Sequence, residues 1–182
     1  MNAKLYFLVT LLAFFIFSCK SNSDEENTSE NIYVMGTRAA DTEVVEWFFL
    51  VDDIISFNKN TREIIFPDSI TEKITIQRLY SKMTFYNNDN KMFESMITNT
   101  FSSRSVHDLV LVYSMDEELR QYRFYLVDGY PILPDDWRDG STEEQINVIN
   151  EWFRIREENA LKRKDQLDFF IKYLTDRKKI IQ

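Results

Sequence analysis

The chain has 182 residues, one cysteine, one histidine and a formal charge of −8, from 22 Lys and Arg against 30 Asp and Glu. An acidic surface of that size repels nucleic acid and anionic lipid, and a single histidine rules out a histidine-rich zinc site. With one cysteine there is no intrachain disulfide either, so the fold rests on packing, for which 15 Phe, 9 Tyr and 3 Trp supply large buried area.

Lys4 precedes an uncharged run, Leu5 to Phe17, which ends at Ser18-Cys19. As a helix those residues span about 20 Å, short of the ~30 Å hydrocarbon core, so the run reads as an export signal over residues 1–18 and not as a membrane span. Ile16-Phe17-Ser18-Cys19 resembles a bacterial lipobox, which implies lipidation of Cys19 after cleavage; Phe17 is bulkier than the usual occupant of its position. The mature chain would carry 21 basic against 30 acidic residues, or −9. Residues 19–41 then read as a lipidated cysteine and an acidic tether. Asn22 to Asn31 has no large apolar side chain to offset the entropy of ordering. The acid run Asp24-Glu25-Glu26 resembles the export tag of Bacteroides-type surface lipoproteins, and implies an outward-facing place on the outer membrane in preference to the inner.

Residues 42–182 are expected to form one α+β domain, large enough for its own core. Glu43 to Val51, β-branched and aromatic, predicts a mostly buried strand, and Asp52-Asp53 caps a short helical turn. Arg62 to Phe66 predicts a second strand, stopped by Pro67, and Asp68-Ser69-Ile70 opens a helix marked by Ile70 and Ile74. Two hairpins follow. Lys82–Tyr86 and Lys91–Ile97 flank a turn at Asn87 to Asn90, and Asp108–Ser114 pairs with Gln121–Val127, whose Tyr122, Phe124 and Leu126 share one face. Ser141 to Glu144 fits a capping box, and Ile146, Ile149, Phe153, Ala160, Leu167, Phe170 and Leu174 keep helical spacing, with Arg156 and Arg163 in the same seam. The charged stretch 154–166 leaves one long helix or two consecutive ones. The expected architecture is an antiparallel sheet of four to six strands with that helical segment across one face.

Chemistry-bearing constellations are sparse. Ser102, Ser103 or Ser105 with His107 would make a hydrolase, with His107 as base and a distant acid such as Asp128 as its orienter, because strand neighbours His107 and Asp108 point to opposite faces. Asp135, Asp136 and Asp139 partly mimic a calcium loop, although Trp137 and Ile146 occupy positions that need oxygen ligands. There is no Gly-rich phosphate loop, and no cofactor is expected. Tyr125, Tyr130, Trp137 and Trp152 would serve either as core or as a platform for sugar or peptide. Asp68-Ser69-Ile70 resembles the three-residue O-glycosylation signal of Bacteroides-type bacteria, which marks Ser69.

Two phrases, Asp52-Asp-Ile-Ile-Ser-Phe-Asn58 to Thr61-Arg-Glu-Ile-Ile-Phe66, and Phe101-Ser-Ser-Arg-Ser-Val-His-Asp-Leu-Val110 to Tyr125-Leu-Val-Asp-Gly-Tyr-Pro131, resemble an uncharacterised family of small lipoproteins from Bacteroides-type bacteria. That resemblance implies no activity and no site residues. The expected role is a lipid-anchored envelope protein that binds a protein or glycan partner without catalysis. The alternatives are an envelope hydrolase using His107, and an inhibitor or immunity-type lipoprotein.

Overall fold

One compact unit runs from Asn31 to Gln182, and its first strand, β1 (Ile32–Arg38), lies inside the stretch assigned above to the tether. Ile32 and Val34 alternate along it and are completely buried, a strand signal that the polar residues before it obscure. The domain boundary therefore moves back from residue 42 to residue 31. The structure, a computed structural model, describes residues 31–131 and 140–182. The signal segment, Cys19 and the tether as far as residue 30 lie outside it.

After β1 come β2 (Val45–Leu50), a 3₁₀ turn (Val51–Asp53), β3 (Ser56–Asn58), β4 (Glu63–Ile65), helix α1 (Asp68–Thr75), β5 (Tyr80–Asn87) and β6 (Asn90–Asn99). The chain continues through β7 (Val106–Asp116), β8 (Gln121–Tyr130), helix α2 (Glu143–Asp176) and β9 (Ile180–Ile181). The expected α+β class holds, but the single sheet has nine strands instead of four to six, in the order β2-β1-β5-β6-β7-β8-β4-β3-β9. It is mostly antiparallel; β6–β7 and β3–β9 run parallel. The charged stretch does not break the C-terminal helix, which is continuous over 34 residues.

Local chemistry explains most element ends. The first hairpin turns on Asn88-Asp89 alone, with Asn88 at φ 50°, a backbone state that asparagine tolerates. Asp116 closes the second, its carboxylate accepting from the amides of Glu118 and Leu119. The α2 capping box sits one residue later than expected: the Thr142 hydroxyl accepts from the Gln145 amide and the Gln145 side chain accepts from the Thr142 amide. Strand β2 is less buried than expected. A bulge opposite Val34 and Met35 leaves Phe48 unpaired, so that neighbours Phe48 and Phe49 both enter the core while Trp47 stays 57% exposed.

The sheet curls around a main core, and a smaller buried cluster of Val110, Val112 and Tyr130 stands apart from it. Its β2 edge and the β3 strand near its other edge are joined by residues 51–55 alone, and edge-to-face contacts of Phe49 with Phe66 (5.6 Å) and of Phe66 with Phe124 (5.1 Å) carry packing from β2 across to β8. The C-terminal part of α2 fills the concave side. Phe170, fully buried, meets Phe57, Phe85 and Phe93 at centroid distances of 6.2, 5.5 and 5.6 Å. Burying a phenyl ring contributes about 2–3 kcal/mol, so this cluster alone holds the helix to three strands. At the same end the Tyr173 hydroxyl accepts from the Ile32 amide and Arg177 pairs with Asp52 at 2.6 Å.

The link between β6 and β7 is unusual. Parallel neighbours ordinarily need a crossover of a dozen residues or more, yet only residues 100–105 separate these two. The segment opens with a turn, the Ser102 amide donating to the Asn99 carbonyl at 3.1 Å, and the few residues after it run back taut along the sheet. It is pinned at its start, where the Thr100 amide donates to the Tyr113 carbonyl, and along its length, where the Tyr130 hydroxyl donates to the carbonyls of Thr100 (2.9 Å) and Ser102 (3.1 Å).

Candidate functional site

The residues weighed for catalysis do not assemble. Ser105 is exposed in the taut crossover, while His107 sits in a bulge of β7 opposite Gly129 and packs its ring on Trp152 at 5.8 Å. No hydrogen bond joins Ser105, His107 and Asp128 among the described residues. Asp128 is committed elsewhere: one oxygen accepts from Arg62 at 2.5 Å and the other from Arg163 at 2.8 Å, and Arg163 also reaches Asp108 at 3.0 Å. Burial works against ionisation of Asp128, but the guanidiniums of Arg163 and Arg62 outweigh it and hold the carboxyl below its ordinary value. This network is a clamp that locks α2 to β8 and to the turn before β4. The placement of Arg163 in the helix seam is correct; its side chain is only 12% exposed.

Gly129 makes that contact possible. It sits at φ +83°, and a Cβ there would come within 2.6 Å of the Arg156 side chain and 3.2 Å of Trp152. Arg156, the other seam arginine, covers the Trp152 and Phe153 rings. Of the proposed aromatic platform, Tyr130 is buried with its hydroxyl satisfied and Trp152 is wedged into this helix contact, so both serve packing. Trp137 and the acidic loop of Asp135, Asp136 and Asp139 lie outside the described residues, and among those described no cluster of three metal-ligating side chains forms. Ser69 is exposed in the first turn of α1, accessible to modification.

The feature that sequence reasoning missed is at the end of the sheet opposite the chain's entry at Ile32. Strand pairing places Arg38 and Tyr80, the C-terminal residues of β6 and the middle of β7 together at that end. There Phe101 stands 93% exposed at the start of the crossover, fixed by its amide donating to the Asn99 side chain. Two hollows of about 510 and 170 Å³ flank it and share Arg78, Asn99, Phe101 and Tyr113. Their only charged lining residues are Arg78 and Arg104. Neither guanidinium makes an ion pair among the described residues, although the chain carries 30 acids. Arg78 is held at φ 49°, which turns the chain out of α1 into β5. Exposed Met115 borders the smaller hollow.

A second concavity, of about 320 Å³, lies between the N-terminal parts of β6 and β7 and the middle of α2, and its lining is also more basic than the chain as a whole.

No family model, curated protein or solved structure gives a significant match to this chain. Among the described residues no helix is long and apolar enough to cross a membrane.

Proposed function

We propose that the chain is an exported binding protein, held to the outer membrane by lipid on Cys19, and that it acts by docking an acidic protein partner on the Phe101 face without catalysis. The observation that carries this reading is one fully solvated phenyl ring between two hollows whose only charges are unpaired arginines. Phe101 and the exposed Met115 beside the smaller hollow give a partner apolar area to bury, rimmed by polar side chains. Aromatic residues, Met and Arg are the side chains enriched in the buried centres of protein interfaces. A carboxylate-bearing segment complements Arg78 and Arg104 while an apolar side chain packs on Phe101 and Met115. The alternative of a hydrolase has no assembled triad behind it.

Photo-crosslinking in intact cells tests the proposal, with the crosslinking amino acid at position 101 and, as a control, at Asn88 on the opposite end of the sheet. One reproducible adduct from position 101 is expected, its crosslinked segment acidic, and Arg78→Glu with Arg104→Glu should remove it. An adduct formed equally from position 88, or one indifferent to both arginine substitutions, contradicts the assignment.

A further inference from the structure

The cleft between β6, β7 and α2 carries an inference of its own, independent of the Phe101 face. Parallel pairing joins β6 and β7 only from Met96 and Val110 onward. Before that point the two strands share no ladder, and the middle of α2 lies over the opening. Four cations, Lys82, Lys91, Lys162 and Arg163, line it against two carboxylates, Glu94 and Asp108, giving +2 in a chain whose total is −8. The excess is real at the level of contacts. Lys82 (3.0 Å) and Lys91 (2.9 Å) share the single carboxylate of Glu94, and Lys162 makes no ion pair among the described residues. Burial opposes ionisation of Glu94, but the two lysines prevail and keep it charged, which fixes this wall. On the other wall the Nε of Arg163 is buried with no hydrogen-bond partner.

The geometry points to a binding site for a sugar acid, a small hydroxylated carboxylate. A compact dianion such as phosphate would be drawn by the lysines but would also face Glu94 and Asp108 at close range. A hydroxylated ligand turns those two carboxylates to advantage, because they accept from hydroxyl groups while the spare lysine charge takes the ligand's carboxylate. Asn159 and Gln166 add amides that both donate and accept, and half-buried Met92 and Met96 offer apolar surface to the C–H face of a ring. About 320 Å³ is near the lower bound for small-molecule sites and suits one or two rings.

Titration of the purified full-length protein with galacturonate and digalacturonate, followed by the methyl NMR signals of Met92 and Met96, tests this directly. Both uronates should shift those signals saturably, with galactose and inorganic phosphate at least tenfold weaker. Lys162→Gln, on the exposed face of the helix, should weaken uronate binding at least fivefold without altering the rest of the spectrum. Galactose binding as tightly as galacturonate, phosphate binding as tightly as either, unmoved methyl signals, or indifference to Lys162→Gln would each overturn the assignment. None of these outcomes bears on docking at Phe101.

Discussion

Asp128 shows how one residue can look catalytic and be structural. Its position on β8 puts it within reach of guanidiniums 66 and 35 residues away in sequence, and both of its oxygens are taken. Because its pKa in the folded protein is lowered, the stability it contributes is present above the unfolded carboxylate value of ~3.9 and is lost as pH falls through the lower folded value. Asp128→Asn should cost about 2–3 kcal/mol at neutral pH, since it leaves the mostly buried Arg163 only the exposed Asp108 as an ion-pair partner among the described residues, and it should flatten the acid limb of the stability profile below pH ~4. Urea unfolding across that range checks both effects; an unchanged acid limb would remove Asp128 from the account. Helical spacing was enough to place Arg163 in the seam. Its partners could not be read, because no local pattern links residues so far apart. Phe101 was equally hidden: a phenylalanine beside a strand reads as core, and only the taut crossover turns it outward.

Among the elements, the hairpin strands and the short β4, stopped by Pro67, were legible, whereas β3, β9 and β1 were not. The hairpins of β5–β6 and β7–β8 carry turn chemistry and alternation that a sequence displays. β3 and β9 have three and two residues, too few for any periodicity, and they exist because the sheet offers them an edge. β1 is the instructive miss. Ile32 and Val34 alternate clearly, but seven residues following an acidic stretch look like its continuation. Being flanked by β2 and β5, β1 is no edge ornament, and its loss would strip β2 of its only ladder. A chain starting at Asn31 should therefore unfold cooperatively, whereas one starting at Thr42 should lose near-ultraviolet ellipticity and bind a hydrophobic dye. Equal cooperativity of the two would show that β1 is dispensable.

At the scale of the whole molecule, two features oppose the bulk properties. The chain is acidic, yet the two hollows beside Phe101 and the cleft between β6, β7 and α2 are lined by an excess of base; its core is rich in phenylalanine, yet one phenyl ring stands in water. Both fit the docking proposed for the Phe101 face. Overall class and the C-terminal helix follow from hydrophobic periodicity. The Phe101 face does not, because it is made by strand order and by a crossover whose path no local rule predicts.

Compartment decides whether this reading stands. Intact-mass spectrometry of the protein extracted from its native membrane is the most direct measurement: the account predicts a mature chain beginning at Cys19 with added acyl mass, lost in Cys19→Ser. A chain retaining Met1, or a mature start without acyl mass, would contradict it.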